Sequence, residues 1–182
     1  MTTATLHLVS VATIAAALKA QVAAVKLADG VTPAFARVEL FDSESLTDAF
    51  QQLLVSEQRV CLIVPLAEHF ETEVKQFKLI TRRTVPFALL ISDRVIGKRN
   101  DALFGTANNP GAYNLEALTL PLVTGQLLPN PNGVICTPTG SDVMIVKSEK
   151  EKANHPGRAA IALELSCAGG WMESKTGPGP TL

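Results

Sequence analysis

The side chains that could carry out chemistry in this sequence are three cysteines and three histidines. They are Cys61, Cys136, Cys167, His7, His69 and His155. A thiolate and a histidine base need only be neighbours in space, so Cys61 and His69 are the candidate pair for nucleophilic catalysis. Cys61, however, lies in VCLIVPL, the most apolar segment, where burial keeps a thiol neutral and inert. No GxSxG or HExxH motif is present, and we predict no catalytic residue.

The spacing of the cysteines bears on redox chemistry and on metal binding. Their number is odd, they lie far apart, and no CxxC pair occurs. This pattern indicates neither a disulfide framework nor a zinc knuckle. Cys61 and Cys167 fall in apolar runs, where buried free thiols are common. We therefore expect free thiols and a reducing compartment.

Two short segments have the composition of ligand sites but not the spacing. EHFETE, residues 68–73, lacks the His or Cys pair that zinc sites use, which favours a solvated acidic loop. GKRNDALFG has neither the P-loop spacing nor the Lys-Ser/Thr pair that follows it. Gly105 and Gly111 are more typical of loop bends. We predict no metal site and no cofactor.

Basic residues flank the strongly apolar run that ends at Ile91. The candidate contact residues are Arg82, Arg83, Arg94, Lys98 and Arg99. Three interpretations stay open. These residues could lie at a solvated strand end and turn, or in a protein interface, where arginine is enriched. They could also bind nucleic-acid phosphates with an affinity that falls as the salt concentration rises. Only two phenylalanines lie near these residues, so stacking on nucleic-acid bases is not expected.

Length and composition indicate one globular domain. The chain has 182 residues, an apolar fraction of 47% and a formal net charge of −1, which gives no general attraction to nucleic acid or anionic membrane. The Ala/Val-rich N-terminal segment lacks a preceding basic stretch and contains Lys19, so we interpret it as a helix and not as an export signal. We place a single domain at residues 1–172 and a flexible C-terminal tail at residues 173–182.

Hydrophobic periodicity predicts three helices. The first runs from a Ser10 cap to about Ala28, before a glycine that can end it. The second covers DSESLTDAFQQLLVSEQ, which carries a capping-box spacing. The third starts at Asn109-Pro110, and Pro121 is expected to kink it or to end it early.

The strand signals are of two kinds. Residues 60–66 are apolar throughout, which predicts a strand buried on both faces. Residues 77–92 alternate, which predicts one long strand or two strands that meet near Arg83, with Pro86 at a bulge or a sheet edge. Further strands are predicted at residues 36–41, 134–136, 143–146 and 159–167, with polar connections at residues 93–109 and 148–158.

The order of these elements decides the fold class. Strands that follow one another without helices favour antiparallel pairing. We predict an α+β fold, with helices packed on a mixed, largely antiparallel β-sheet in a single domain.

Four segments, taken in order, resemble the tail terminator (tail completion) proteins of long-tailed bacteriophages, including Mu-like and other contractile-tailed phages. RVCLIVPL resembles the core strand after the second helix, and RRTVPFALLISDR resembles the long strand with a basic start. GTANNPGAYNLEALTLPLVTG resembles the loop and helix that follow, and RAAIALELSCAGGW resembles the closing strand. The resemblance covers residues 59–171. The loop at residues 94–109 is long for this family, and residues 148–156 read as an insertion.

The resemblance implies a structural virion protein that acts in assembly and is not an enzyme. Such proteins form a ring, expected here to be a hexamer, at the head-proximal end of the viral tail. The ring caps the tail tube and sheath and joins them to the neck. The implied partners are further copies of the chain and the tube, sheath and neck or head-completion proteins. The resemblance also implies non-specific contact with passing DNA. It implies no membrane partner. The subunit is expected in the host cytoplasm before assembly and in the virion afterwards.

Under this resemblance the five basic residues line a subunit interface or the lumen through which DNA passes. Three alternatives remain. The chain could be another neck or tail-tube-associated structural protein. It could be a small cytosolic enzyme that uses Cys61 or Cys136 with a histidine. Finally, it could be a nucleic-acid-binding module built on the basic loop.

Overall fold

The computed structural model describes residues 4–6, 9–41, 59–75, 78–93, 99–107, 109–129, 133–145 and 159–175, which contain both helices and strands. The helices are α1 (Val11–Ala23), α2 (Arg99–Phe104) and α3 (Ala112–Val123). The strands are β1 (Ala4–Leu6), β2 (Arg37–Leu40), β3 (Val60–Pro65), β4 (His69–Lys75), β5 (Lys78–Ser92), β6 (Gly125–Leu128), β7 (Val134–Ile145) and β8 (Ala159–Lys175).

The strands form one sheet whose main path is β2-β3-β5-β8-β7-β6. Only the β2–β3 pair is parallel among the described pairs, and the rest are antiparallel. Off this path, β4 pairs with the first half of β5, and β1 pairs with the end of β8. The predicted fold class, helices on a mixed and largely antiparallel sheet, is confirmed.

The core lies between the helices and one face of the sheet. Alternate residues of β5 from Val85 to Ile91 are fully buried there, together with Ile14 and Leu18 of α1 and Leu115 of α3. A second buried apolar cluster occupies the opposite face, with Val60, Leu62, Val64, Ala88 and Leu90 among its members. Strand β3 is therefore buried on both faces, as its uninterrupted apolar sequence predicts.

Pro86 lies inside a central strand without breaking the sheet. Strand β3 pairs with residues 87–92 of β5 and β4 with residues 78–84, so Pro86 falls between these two partners. The Leu66 N–H donates to the Pro86 carbonyl at 2.9 Å, and a strand residue directs its N and its C=O to the same side. Proline has no backbone N–H, and the side of Pro86 that lacks this donor faces the junction of β3 and β4. This junction is a local sheet edge, where the sequence predicts that a proline can lie.

The helix boundaries differ from the prediction because local capping differs. Ser10 caps α1 as expected, since its Oγ accepts from the Thr13 N–H at 3.0 Å. The helix nevertheless ends at Ala23, five residues early, and the following chain turns through Asp29, whose carboxylate accepts the Val31 and Thr32 N–H groups. Helix α3 begins after Gly111 and not at Asn109-Pro110.

Other helix predictions have mixed outcomes. Helix α3 continues through Pro121 to Val123, and α2 lies in the segment predicted to be a loop. The helix predicted over DSESLTDAFQQLLVSEQ lies outside the described residues. None of the helices in the described segments is long and apolar enough to cross a membrane.

The strands in the second half of the chain also differ from the prediction. Residues 134–136 and 143–146 were expected as two strands, whereas β7 runs from Val134 to Ile145 with a register shift near Pro138. Strand β6 follows α3 directly and was not predicted. Strand β8 continues to Lys175, three residues into the predicted tail, because its end pairs with β1 and β5.

Candidate functional site

The two adjacent arginines of β5 have different environments. Arg82 is exposed, whereas Arg83 is only 8% exposed. Successive strand residues point to opposite faces of a sheet, so one guanidinium is directed to solvent and the other to the face that carries the helices. The sequence suggested a joint role for this pair, and the structure separates them.

The three nitrogen atoms of the Arg83 guanidinium all donate hydrogen bonds within the chain. Its Nε donates to Glu68 Oε2 at 2.7 Å, and its Nη2 donates to Glu68 Oε1 at 2.8 Å. Its Nη1 donates to the Val9 carbonyl at 2.6 Å. The Arg83 hydrogen bond is the main reason that the pKa of Glu68 is lowered, with partial burial opposing it. Arg83 therefore ties β5 to the segment before β4 and to the chain entering α1.

This contact lies where the pairing of β5 and β8 shifts. Arg82 is opposite Trp171, but Thr84 is opposite Ala168, so β8 has one extra residue at this point. Gly169 lies in the irregular stretch, and a Cβ there would collide with the Val134 side chain of β7. Glycine thus allows the close approach of β7 at the bulge.

From the shift outward, four strand segments form an extension that we call the strand arm. It consists of β1, β4, residues 78–84 of β5 and residues 168–175 of β8. In the described part of the chain β4 pairs with β5 alone, so its other edge is open. Such an edge presents unpaired backbone N–H and C=O groups to a further strand.

The open edge strand carries exposed apolar side chains. Phe70 is 57% exposed and Val74 is 68% exposed. Thr72 lies between them, and its hydroxyl contacts that of Thr81 on β5 at 3.1 Å, which places this set on one face of the arm. Glu71, on the other face, lies opposite Arg82. The expected acidic loop is in fact mostly strand β4, since residues 69–75 pair along β5.

The remaining basic candidates are only partly located. Arg94 and Lys98 lie outside the described residues, and Arg99 begins α2. That the five basic residues together line an interface or the lumen therefore remains a prediction. Arg82 is the candidate that the structure places in an exposed position, and its neighbour across the strands is a carboxylate.

A buried carboxylate organises the entry to α3. Asp93, at the end of β5, is almost fully buried, and its Oδ2 accepts from the Gly111 N–H at 2.8 Å. Gly105 and Gly111 have φ angles of 85° and 78°. A Cβ on Gly105 would collide with the backbone of Asn109 and Pro110, and a Cβ on Gly111 would collide with the backbone of Phe104 and Gly105. These glycines are required by backbone approach, as well as by the bend that the sequence indicates. The sequence signal for Asp93 was an acidic residue directly after an apolar strand.

The cysteine prediction is wrong for two of the three residues. Cys136 and Cys167 form a disulfide between β7 and β8. They are 31 residues apart in sequence, and only the register of the two antiparallel strands brings them opposite each other. Cys61 is free and buried, and burial raises the pKa of its thiol. A thiolate nucleophile is therefore disfavoured at Cys61.

Two observations on the described residues bear on metal and small-ligand binding. No group of three His, Cys, Asp or Glu side chains among them is arranged to hold a metal ion. A cleft of about 570 Å³ lies between the turn after α1 and α3, and Asp29 and Asn114 are among its lining residues. The Asp29 carboxylate is already occupied by the Thr32 hydroxyl and by two backbone N–H groups. These bonds lower the pKa of Asp29.

Comparison with known proteins does not assign the chain to a family. No protein-family model matches this sequence, and no curated protein matches it.

Proposed function

We propose that this chain is a structural subunit that assembles with further copies of itself into a ring of the tail-terminator type. In this role the ring caps the tail tube and sheath of a phage and joins them to the neck. The proposal rests on the order of elements that resembles tail terminator proteins and on one structural observation. That observation is strand β4, whose outer edge is open within the described residues and which carries the exposed Phe70 and Val74.

The strand arm has the properties of an assembly surface. An open edge strand pairs readily with another chain, and apolar side chains on it add burial to backbone hydrogen bonding. Monomeric proteins normally protect such edges with charge, proline or a covering segment. On β4 the charged Glu71 and Glu73 lie on one face, whereas Phe70 and Val74 lie exposed on the other. Burying these two apolar side chains against a partner removes apolar surface from water.

A ring requires a second, different surface on the opposite side of the subunit. Strand β4 lies on one side of the central β5–β8 pair, and the β6–β7 hairpin lies on the other. In the described residues β6 pairs with β7 alone, and Ile135 of β7 is exposed. We assign the β6–β7 side of one copy as the surface that receives the β4 side of the next.

Mass measurement of purified protein tests this assignment. We expect the wild type to form a hexamer by size-exclusion chromatography with light scattering. The double substitution Phe70→Lys and Val74→Lys places charge on the edge and should give monomers. The matched control is Val31→Lys, because Val31 is exposed in the turn after α1 and is part of neither surface.

Mixing two variants distinguishes a head-to-tail contact from a symmetric one. Ile135→Lys should also give monomers, because it alters the other surface. Each variant retains one intact surface, so an equal mixture should form dimers and no larger species. A wild type that stays monomeric at all concentrations, or a mixture that stays monomeric, contradicts the proposed ring contact.

The role in the tail needs a separate measurement. Immunogold electron microscopy of virions should place the protein at the head-proximal end of the tail. Label along the tube or within the neck favours the alternative of another neck or tail-tube-associated protein. Virions that contain none of the protein overturn the structural assignment.

A further inference from the structure

We propose that the Cys136–Cys167 disulfide is a redox-controlled clamp that fixes the outer β6–β7 hairpin to β8, and that the chain folds without it. The two residues are directly opposite each other in the β7–β8 register, and their Cα atoms are 4.3 Å apart. This separation is close to that of an ordinary non-hydrogen-bonded pair in an antiparallel sheet, about 4.5 Å. Strand pairing therefore brings the two sulfurs together without help from the bond.

The surrounding sheet supplies the contacts that hold β7 in place when the bond is absent. Pairing of β7 with β8 extends on both sides of the cysteines, from Val134 to Ile145. Cys167 also pairs with Val85 on β5, and both cysteines are buried in the helix-facing core. A reduced cysteine behaves as a small apolar residue, so this core accommodates either redox state.

The bond lies where it restrains one end of the described sheet, where the path finishes with β7 and β6. Cys136 pairs with Gly125 on its other side, so one row across the sheet joins Gly125, Cys136 and Cys167. Gly125 begins β6 directly after α3, and β6 is a four-residue strand. Short terminal strands open with small free energies. The disulfide joins β7 to β8 in this row, where the β6–β7 hairpin would separate from β8.

The chemistry is thiol–disulfide exchange with a small-molecule disulfide of the glutathione type. One cysteine thiolate attacks the reagent, whose S–S bond breaks and releases one thiol. The second cysteine thiolate then attacks the mixed disulfide and releases the second thiol. Two cysteines are oxidised, the reagent disulfide is reduced, and the two cysteine protons pass to the released thiols. A small dithiol reverses the reaction.

Burial makes the exchange depend on opening of the hairpin. Cys136 is 1% exposed and Cys167 is 0% exposed, so no reagent reaches either sulfur in the closed sheet. Exchange proceeds when β6 and β7 separate from β8. The oxidised state consequently keeps the hairpin closed, and the reduced state opens more often.

Thiol counting on the full chain tests the clamp. The protein is equilibrated in buffers of glutathione and glutathione disulfide. It is then denatured and alkylated, and its intact mass is measured by mass spectrometry. We expect one alkylated cysteine, Cys61, in oxidising buffer and three in reducing buffer. In Cys61→Ser the expected numbers are zero and two. Three alkylated cysteines in every buffer overturn the proposal. A disulfide that includes Cys61 also overturns it.

Hydrogen exchange tests the effect on the hairpin. Reduction should speed exchange in β6 and in residues 134–136 by about tenfold, with β3 and residues 87–92 unchanged. The variant Cys136→Ala with Cys167→Ala should match the reduced protein in both buffers. Equal exchange rates in the two redox states overturn the clamp. Loss of far-UV circular dichroism on reduction overturns the claim that the chain folds without the bond.

These measurements do not depend on ring assembly. They are repeated on the Phe70→Lys and Val74→Lys variant, which should be monomeric. A clamp seen in that monomer stands even if the ring proposal fails.

Discussion

Arg83 and Glu68 form a two-point ion pair at the place where the sheet leaves the helix-covered core. The distances are 2.7 Å from Nε to Oε2 and 2.8 Å from Nη2 to Oε1. A third bond from Arg83 reaches the Val9 carbonyl. Since the guanidinium is nearly buried and the carboxylate is about one third exposed, the pair links three chain segments at the base of the strand arm.

Removing the guanidinium should destabilise the protein. Arg83→Met keeps an apolar stem but leaves Glu68 and the Val9 carbonyl without their donors. Loss of one partner from a well-buried pair costs about 3–5 kcal/mol, and exposure of Glu68 reduces this to about 2–3 kcal/mol. Urea unfolding measures the difference. Arg82→Met is the control, and it should change stability by less than about 0.5 kcal/mol.

The same pair should make stability depend on pH in the acidic range. Arg83 lowers the pKa of Glu68 in the folded state below its ordinary value of 4.5. The unfolded chain then binds the proton more readily, so the contribution is present above the unfolded pKa and is lost as the pH falls through the folded pKa. Glu68→Gln should flatten the dependence of the urea midpoint on pH below about 5. An unchanged slope in this variant would contradict the role of the ion pair.

The glycines before α3 should be less replaceable than Gly30 or Gly140. Gly111→Ala combines a left-handed φ of 78° with a collision against the Gly105 backbone. We expect a loss of more than about 2 kcal/mol. Gly30→Ala has a similar φ of 69° but open space around its Cβ, so it isolates the cost of φ, about 1 kcal/mol. Gly140→Ala has neither feature and should be nearly neutral. Equal thermal stability of the three variants would refute this ranking.

Cys61 separates the structural proposal from the alternative of a Cys/His enzyme. Its side chain is fully buried in β3. Cys61→Ala should lower stability by about 1–2 kcal/mol through lost packing, while the oligomer mass stays that of the wild type. Light scattering and urea unfolding measure the two effects. A reaction of this protein that disappears in Cys61→Ala, with the fold intact, would favour the enzyme.

Features that depend on residues close in sequence could be predicted, whereas features that depend on contacts between distant segments could not. The apolar run at residues 60–66 predicts burial on both faces, and the structure places Cys61 and Ile63 on one face and Leu62 on the other. The Ser10 cap and the alternation along β5 were also predictable, because each depends on residues close in sequence. The start of α3 was not, because it depends on Gly105 and a distant Asp93 side chain.

The amino-acid sequence by itself determined the class of the fold, the buried strands and the set of basic candidates, since these follow from periodicity and composition within each segment. Only the tertiary structure decided that Arg83 binds Glu68 while Arg82 faces solvent, and that Cys136 meets Cys167. The physical reason is register: which residues of distant strands lie opposite each other depends on the packing of the whole sheet, and a one-residue slip reverses every face.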